Sequence, residues 1–160
     1  MPSDPVPTRI RTVRQADFDA WLPLWDGYNA FYGRAGESAL PLKVTRTTWS
    51  RFLDDEDPMF ALVAERGGAV VGLVHYLYHR STTRPEGVCY LQDLFTREDQ
   101  RGTGVGRALI EGVYSAARRA RICRVYWQTH ESNAAGRRLY DQVSKHAGFI
   151  VYTTDLDAAP

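Results

Sequence analysis

Residues 100–107 read QRGTGVGR, with a glycine at every second position behind Arg101. The stretch follows the strand-like run VCYLQDLF (88–95) and precedes ALIEGVYSAARRA (108–120), whose apolar spacing is typical of a helix. A loop that leads into a helix N-terminus presents unpaired backbone N–H groups, and the helix dipole adds partial positive charge there. The stretch therefore predicts a phosphate or pyrophosphate site, with a glycine-rich turn that binds nothing as the alternative.

Two common phosphate-binding motifs do not fit this loop. A dinucleotide fingerprint that starts at Gly102 would need glycine where the chain has Arg107, and a P-loop would need Gly-Lys followed by Ser or Thr. The loop must therefore bind its anion in another structural setting.

The flanking sequence predicts an α/β fold. FALVAE (60–65), Gly67-Gly68 and AVVGLVHYLYH (69–79) predict a β-hairpin, because glycines permit the positive φ angles of tight hairpin turns. Further strands are predicted at 8–14, 87–96, 122–129 and 149–154, and helices after residue 17, after residue 44, at 105–117 and at 133–146. The order, roughly βααβββαβαβ, predicts a mixed and mostly antiparallel sheet with one parallel strand pair within 87–129.

Length and composition indicate one soluble globular domain over residues 1–160, with an ordered core at about 7–154. The 160 residues are 44% hydrophobic and 24% charged with a formal net charge of +1, which argues against a nucleic-acid partner. The N-terminal MPSDP lacks the layout of a secretion signal, and no apolar run approaches the roughly 20 residues of a membrane span. We therefore expect a cytoplasmic protein that does not bind membranes.

No metal site is predicted. Cys89 and Cys123 lie in apolar strand-like runs without metal-ligand spacing, which predicts two buried free thiols. The histidines show no pairing typical of a metal site, and isolated histidines in strands or helix ends are usually structural or solvated. They are His75, His79, His130 and His146.

Several motifs together resemble the GNAT superfamily of acetyl-CoA-dependent N-acetyltransferases. Residues 101–106 fit its Q/R-x-x-G-x-G/A signature, and residues 133–140 resemble its N-x-x-A-x-x-L/F-Y segment. YLQDLFT (90–96) and VYWQT (125–129) resemble its central strands, so that the likeness covers residues 88–152. The segment WLPLWDGYNAFY (21–32) is more loosely similar to the diamine and thialysine acetyltransferase branch and its microbial relatives. The resemblance implies the GNAT fold, with helices on both faces of a sheet that splays at its parallel strand pair.

The resemblance also implies acetyl-CoA as cosubstrate. The glycine loop would hold the pyrophosphate, and the backbone at 94–96 would pair with the pantetheine amides, whereas an ordinary buried strand is the alternative there. Asn133 can cap its helix, and Gly136, where the family usually has Ala, either loosens that helix or makes room for ligand. The implied CoA-binding residues are Leu94, Phe95, Thr96, Arg101, Gly102, Thr103, Gly104, Val105, Gly106, Arg107, Asn133 and Gly136.

Two residues are candidates for catalysis. Tyr140 matches a family tyrosine that protonates the leaving thiolate, and a phenol with a pKa of about 10 carries its proton at neutral pH. The alternative is a core tyrosine that packs beside Leu139 and Val143. A substrate ammonium must lose a proton before attack, and Asp93 is the candidate base, with a purely structural role as the alternative.

The acceptor is predicted to be a primary amine of a small metabolite, an amino acid or a short amine. Tyr28, Gln92 and Trp127 are the implied substrate contacts. Diamine acetyltransferases typically have Glu at the position of Gln92, and a neutral amide does not neutralise a polyamine. A protein lysine or N-terminus, a polyamine, and a non-catalytic acyl-CoA-binding module remain alternatives. The branch resemblance and the terminal strand FIVYTT (149–154) predict a homodimer.

Overall fold

The computed structural model describes residues 6–157. These residues form two compact units that divide between Gln128 and Thr129. The first unit contains β1 (Arg9–Thr12), α1 (Phe18–Phe31), α2 (Leu42–Phe52), β2 (Met59–Arg66), β3 (Ala69–His79), β4 (Val88–Thr96), α3 (Val105–Arg119) and β5 (Val125–Tyr126). The second unit contains α4 (Ala134–Val143). A single domain over residues 1–160 stays a prediction.

The five strands form one sheet in the order β1-β2-β3-β4-β5. The first four strands are antiparallel, and β4 and β5 are parallel, which confirms the predicted mixed sheet. The β2–β3 hairpin turns at Gly67 and Gly68, whose φ angles of +54° and +80° favour glycine. The predicted hairpin is therefore confirmed together with the reason for its glycines.

Helices cover both faces of the sheet, as the resemblance implied. Alternate residues of β2 and β3, including Val63 and Leu73, belong to a core that contains the aromatic side chains of α1 and α2. The opposite face packs against α3, because Cβ atoms built on Gly72 and Gly112 would lie 3.0 Å from Leu109 and 3.2 Å from Leu62. The α1–α2 side includes Trp21, Trp25, Trp49 and Phe52, all buried. Packing of these large rings fixes α1 over the middle of the sheet.

A β-bulge interrupts the pairing of β3 with β4. His75 lies opposite Asp93 and Tyr76 lies opposite Leu91, so that Gln92 is the extra residue. The bulge lies halfway along β4, next to residues that the sequence assigned to the site.

The predicted terminal strand at 149–154 is wrong. Residues 144–157 contain neither helix nor strand, and Phe149 and Tyr152 are 80% and 87% exposed. A strand pattern becomes a strand only when a neighbour completes its hydrogen bonds, and the described part of the second unit has no other strand. β structure was predicted over 122–129, but β5 is two residues long, because its pairing with β4 is limited to Val125 and Tyr126.

The two cysteines differ in exposure. Cys89 is fully buried, and burial raises its pKa to about 12. Cys123 is exposed, contrary to prediction, because it precedes β5 rather than lying within a strand of the sheet. None of the helices within residues 6–157 is long and apolar enough to cross a bilayer.

Candidate functional site

The glycine loop leaves β4 through a short 3₁₀ turn and enters α3 at Val105. Gly102 and Gly104 have φ angles of +71° and +90°, in the left-handed region that side chains other than glycine rarely adopt. A Cβ atom on either glycine would meet no atom within 4 Å. The backbone conformation therefore requires glycine here, and the space in front of the loop is open.

The loop presents a row of free donors. Within residues 6–157, the backbone N–H groups of residues 102–106 find no protein acceptor. The last of these groups belong to the first turn of α3, where the helix dipole adds positive charge. Several free N–H groups beside open space suit a phosphate or pyrophosphate, and such a site at this loop stays a prediction.

The conformation of the loop is fixed from neighbouring strands. Arg66, the last residue of β2, donates from Nη1 to Thr103 Oγ1 at 2.8 Å and from Nη2 to the Thr103 carbonyl at 2.9 Å. Arg101 donates from Nε to the Thr96 carbonyl at 3.2 Å, and its guanidinium lies 5.4 Å from the Phe95 ring centroid. Side-chain hydrogen bonds thus tie the loop to the ends of β2 and β4.

The edge of β4 next to the loop lacks a strand partner. Pairing with β5 is limited to Cys89 with Val125 and Tyr90 with Tyr126, whereas the other edge of β4 pairs with β3 up to Thr96. Residues 91–96 thus have no β5 partner within the described chain. This is the predicted splay, and its backbone N–H and C=O groups suit an amide-rich ligand that adds as a strand. A pantetheine contact at Leu94, Phe95 and Thr96 stays a prediction.

Asp93 is held by a buried hydrogen-bond chain. Trp21 donates from Nε1 to His75 Nε2 at 3.0 Å, and His75 Nδ1 lies 2.9 Å from Asp93 Oδ2. Because an indole N–H can only donate, Nε2 must accept, and the imidazole proton is on Nδ1. His75 is 1% exposed and Asp93 is 9% exposed. Asp93 is therefore oriented by a neutral histidine, without a cationic partner at that oxygen.

The charge of Asp93 acts on three tyrosine hydroxyls. Burial and then the Asp93 charge raise the pKa of both Tyr28 and Tyr32 above the usual range. Burial also raises the pKa of Tyr90, to which Tyr126 and Asp93 contribute less. These phenols remain protonated at neutral pH and can donate hydrogen bonds toward a polar ligand. Asp93 thus lies among aromatic rings, as expected of a site for a small molecule.

The predicted substrate residues do not all lie together. Gln92 is exposed at the bulge, and Tyr28 belongs to α1 and stacks on Trp25 at 5.5 Å between ring centroids. Trp127 packs against Tyr114 of α3 at 6.5 Å, on the other face of the sheet. The structure thus brings Tyr28 toward Asp93 and places Trp127 apart from both. A substrate role for Gln92 or Trp127 stays a prediction.

In the second unit, Asn133 caps α4. Its Oδ1 accepts from the Gly136 N–H at 3.1 Å, and its Nδ2 donates to Thr129 Oγ1 at 2.9 Å. A Cβ atom on Gly136 would lie 2.5 Å from Asn133 Nδ2. Glycine therefore makes room for the cap itself. Tyr140 lies on α4, partly buried, and its catalytic role stays a prediction.

Sequence reasoning missed His75 and Arg66. His75 was assigned a structural or solvated role, yet it sits in the middle of an apolar strand where a buried imidazole needs partners on both nitrogens. That position is a usable signal. Arg66 gave none, because its contact with Thr103 depends on how the hairpin packs beside the loop. No cluster of three metal-ligating side chains occurs in the described part of the chain.

Comparisons with known proteins point to one family. A model of the Acetyltransferase (GNAT) family matches residues 21–145. The D-amino-acid N-acetyltransferase HPA3 of Saccharomyces cerevisiae is 33% identical over 145 residues, which cover 89% of this chain and 88% of that protein.

Solved structures share the fold. A ribosomal-protein-alanine N-acetyltransferase from Brucella melitensis superimposes with a TM-score of 0.74 at 21% identity, covering 94% of this chain and 99% of that one. The acetyltransferase AAC(6')-Iy, in complex with a CoA bisubstrate analogue, superimposes with a TM-score of 0.79 at 14% identity and the same coverage. At these identities the likeness shows the fold alone.

Proposed function

The chain belongs to the GNAT family of acetyltransferases, and we propose on that premise that it transfers an acetyl group from acetyl-CoA to the primary amine of an amino acid or short amine. The observation that carries the proposal is the row of free backbone N–H groups at 102–106 beside an unpaired edge of β4. A phosphate-bearing ligand with an amide arm fits both features at once.

The residues of the site suit a donor of this kind. Acetyl-CoA supplies an activated acetyl thioester. The glycine loop, tied to β2 by Arg66, would hold the pyrophosphate, and residues 94–96 would hold the pantetheine amides. Tyr140 is proposed as the acid that protonates the leaving sulfur, on the strength of its place seven residues after Asn133 in the family motif.

Asp93 is proposed to act on the acceptor. An ammonium group must lose a proton before its nitrogen can attack the thioester carbon, and a carboxylate without a cationic partner can attract that ammonium and accept the proton. The new C–N bond forms as the C–S bond breaks; the attacking nitrogen then gives up its second proton and the released sulfur takes one, so that the net proton released is the one that Asp93 accepted. No covalent enzyme intermediate is needed, because a free amine is already a nucleophile.

A small acceptor is supported by two observations. The relative with 33% identity is a D-amino-acid N-acetyltransferase, and the charge of Asp93 acts on tyrosine hydroxyls. Gln92 is neutral, which disfavours long polyamines and diamines as acceptors. The loose resemblance of residues 21–32 to the diamine and thialysine acetyltransferase branch stays a prediction. A protein lysine or N-terminus is the second candidate.

We also propose a homodimer in the cytoplasm. The apolar side chains of Phe149, Ile150 and Tyr152 are exposed in one chain, and a second copy would remove them from water. Light scattering at micromolar concentration should give twice the chain mass. A monomer mass would contradict the dimer, and cell fractionation tests the location.

Free-thiol release from acetyl-CoA tests the activity. The acceptor panel contains amino acids, monoamines, spermidine and a lysine-containing peptide. We expect rapid release with amino acids or short amines. A kcat/KM far higher for spermidine or for the peptide would contradict the small acceptor. Tight acetyl-CoA binding without release for any amine would indicate a non-catalytic module.

A further inference from the structure

We propose that Arg34 binds the carboxylate of an amino-acid acceptor whose ammonium group is held by Asp93. The inference rests on the proposed function and specifies how the site would distinguish an amino acid from an amine without a carboxylate. Arg34 lies in the turn that follows α1, and its side chain is partly buried.

The orientation of the Arg34 side chain is fixed by a buried amide. Its Nε donates to Asn29 Oδ1 at 2.7 Å, and its backbone N–H donates to the Asn29 carbonyl at 2.9 Å. Asn29 is 4% exposed and donates from Nδ2 to the Trp25 carbonyl at 2.8 Å. Little side-chain freedom is therefore left for a ligand to restrict, which favours binding.

The outer edge of the guanidinium is available. Within residues 6–157, Nη1 and Nη2 of Arg34 donate no hydrogen bond, and no carboxylate forms an ion pair with this side chain. Two parallel N–H groups on a planar fork match a carboxylate in bidentate geometry. A partly buried and oriented guanidinium with both Nη groups unused is a favourable place for a ligand carboxylate.

Arg34 and Asp93 face the same pair of tyrosines. The guanidinium carbon lies 6.0 Å from the Tyr28 ring centroid and 5.6 Å from that of Tyr32. Tyr28 stacks on Trp25 at 5.5 Å between ring centroids, and the Trp25 ring lies 5.2 Å from that of His75, the partner of Asp93. Burial and then the charge of Asp93 raise the pKa of both hydroxyls, whereas the charge of Arg34 lowers it. Two opposite charges thus flank the same rings, and an amino-acid zwitterion carries the complementary pair.

A cavity of about 490 Å³ lies beside Arg34. Its lining includes Gly27 and Asn29 of α1 as well as Leu40. A Cβ atom on Gly27 would lie 2.7 Å from Phe95 Cζ, so that this wall of the cavity adjoins the end of β4 next to the glycine loop. The volume falls in the usual range of small-molecule sites and the place lies beside the proposed pantetheine edge.

A matched pair of acceptors tests the inference. Phenylalanine and phenethylamine differ by the carboxylate alone, and both are assayed with the wild type, Arg34→Gln, Arg34→Lys and Arg46→Gln. We expect Arg34→Gln to lower kcat/KM for phenylalanine by about 10- to 100-fold, as for loss of a charged hydrogen bond, and to change phenethylamine less than twofold. The kcat/KM of Arg34→Lys for phenylalanine should lie between those of the wild type and Arg34→Gln, because lysine keeps the charge and loses the bidentate geometry.

The exposed Arg46 on α2 controls for net charge, and its change should leave both acceptors unaffected. Equal losses for both acceptors in Arg34→Gln, or no loss for either, would overturn the inference while leaving the acetyltransferase activity standing. If the wild type acetylates neither these two compounds nor any amino acid or short amine of the acceptor panel, the proposed function fails instead. Carboxylate recognition is then measured by calorimetry with N-acetylphenylalanine, and the inference is overturned if Arg34→Gln binds it as tightly as the wild type.

Discussion

Replacing Trp21 by Phe removes the donor that fixes the His75 tautomer. His75 is 1% exposed, and its Nε2 would lose the 3.0 Å hydrogen bond from the indole. A buried acceptor left unsatisfied costs about 1–3 kcal/mol, and the smaller ring adds a packing loss. We expect the free energy of unfolding to fall by at least that amount.

The same change should lower the activity. In the wild type, the indole N–H requires His75 Nε2 to accept, so that the imidazole proton lies on Nδ1 and points to Asp93 Oδ2. In Trp21→Phe the proton can lie on either ring nitrogen, and Asp93 loses a fixed donor. We expect kcat/KM to fall about tenfold or more, because the carboxylate is less well oriented.

Trp25→Phe is the matched control. Trp25 is also buried on α1 and donates one hydrogen bond, from Nε1 to Thr45 Oγ1 at 3.2 Å. Both variants lose the same ring atoms and one donor, so both should lose comparable stability in urea denaturation. Only Trp21→Phe should lower kcat/KM and change the ¹⁵N shifts of the His75 ring. Equal kcat/KM values in the two variants would refute the tautomer argument.

Three further predictions concern the glycine loop, the proposed general acid Tyr140 and the stability of the fold at low pH. Gly104→Ala and Gly68→Ala should each lower the free energy of unfolding by about 1–2 kcal/mol, because both glycines have φ near +80° to +90° in open space. Only Gly104→Ala should weaken acetyl-CoA binding in calorimetry. Equal acetyl-CoA affinities of Gly104→Ala and Gly68→Ala would contradict a cofactor site at the loop. Tyr140→Phe should keep the fold and the acetyl-CoA affinity and lower kcat about a hundredfold, and near-normal turnover with chemistry rate-limiting would return Tyr140 to a packing role. The hydrogen bond from Arg11 lowers the pKa of Asp17 in the folded protein. The ionised Asp17 therefore stabilises the fold fully above its unfolded-state pKa of about 3.9. This stabilisation is lost as the pH falls through the lower pKa of the folded state. The Asp17→Asn variant should therefore have a lower free energy of unfolding at neutral pH, and this free energy should fall less on acidification than in the wild type. A pH dependence parallel to that of the wild type would contradict this.

The sequence predicted features whose cause is local. The Gly67-Gly68 turn and the glycine loop follow from backbone conformations that few other residues adopt, and the apolar spacing of α3 follows from its period. The Asn133 cap was also predicted, whereas the reason for Gly136 became evident only from the position of the Asn133 side chain.

Features that depend on register or on distant packing were missed. The pairing of His75 with Asp93 requires knowledge of a bulge at Gln92, which no local pattern indicates. The alternation at 149–154 predicted a strand, but a ladder also needs a neighbour, and the described second unit offers none. Trp127 was grouped with Tyr28, although the two rings pack on opposite faces of the sheet.

The central claim is tested most directly by following the acetyl group itself. Acetyl-CoA labelled with ¹³C in the acetyl group is incubated with the protein and an equimolar mixture of D- and L-amino acids, spermidine and a lysine-containing peptide, and the products are identified by mass spectrometry. The account predicts labelled N-acetyl amino acids as the main products, with one free CoA thiol released for each. Label found chiefly on spermidine or on the peptide, or retained on CoA while the protein binds it, would contradict the account.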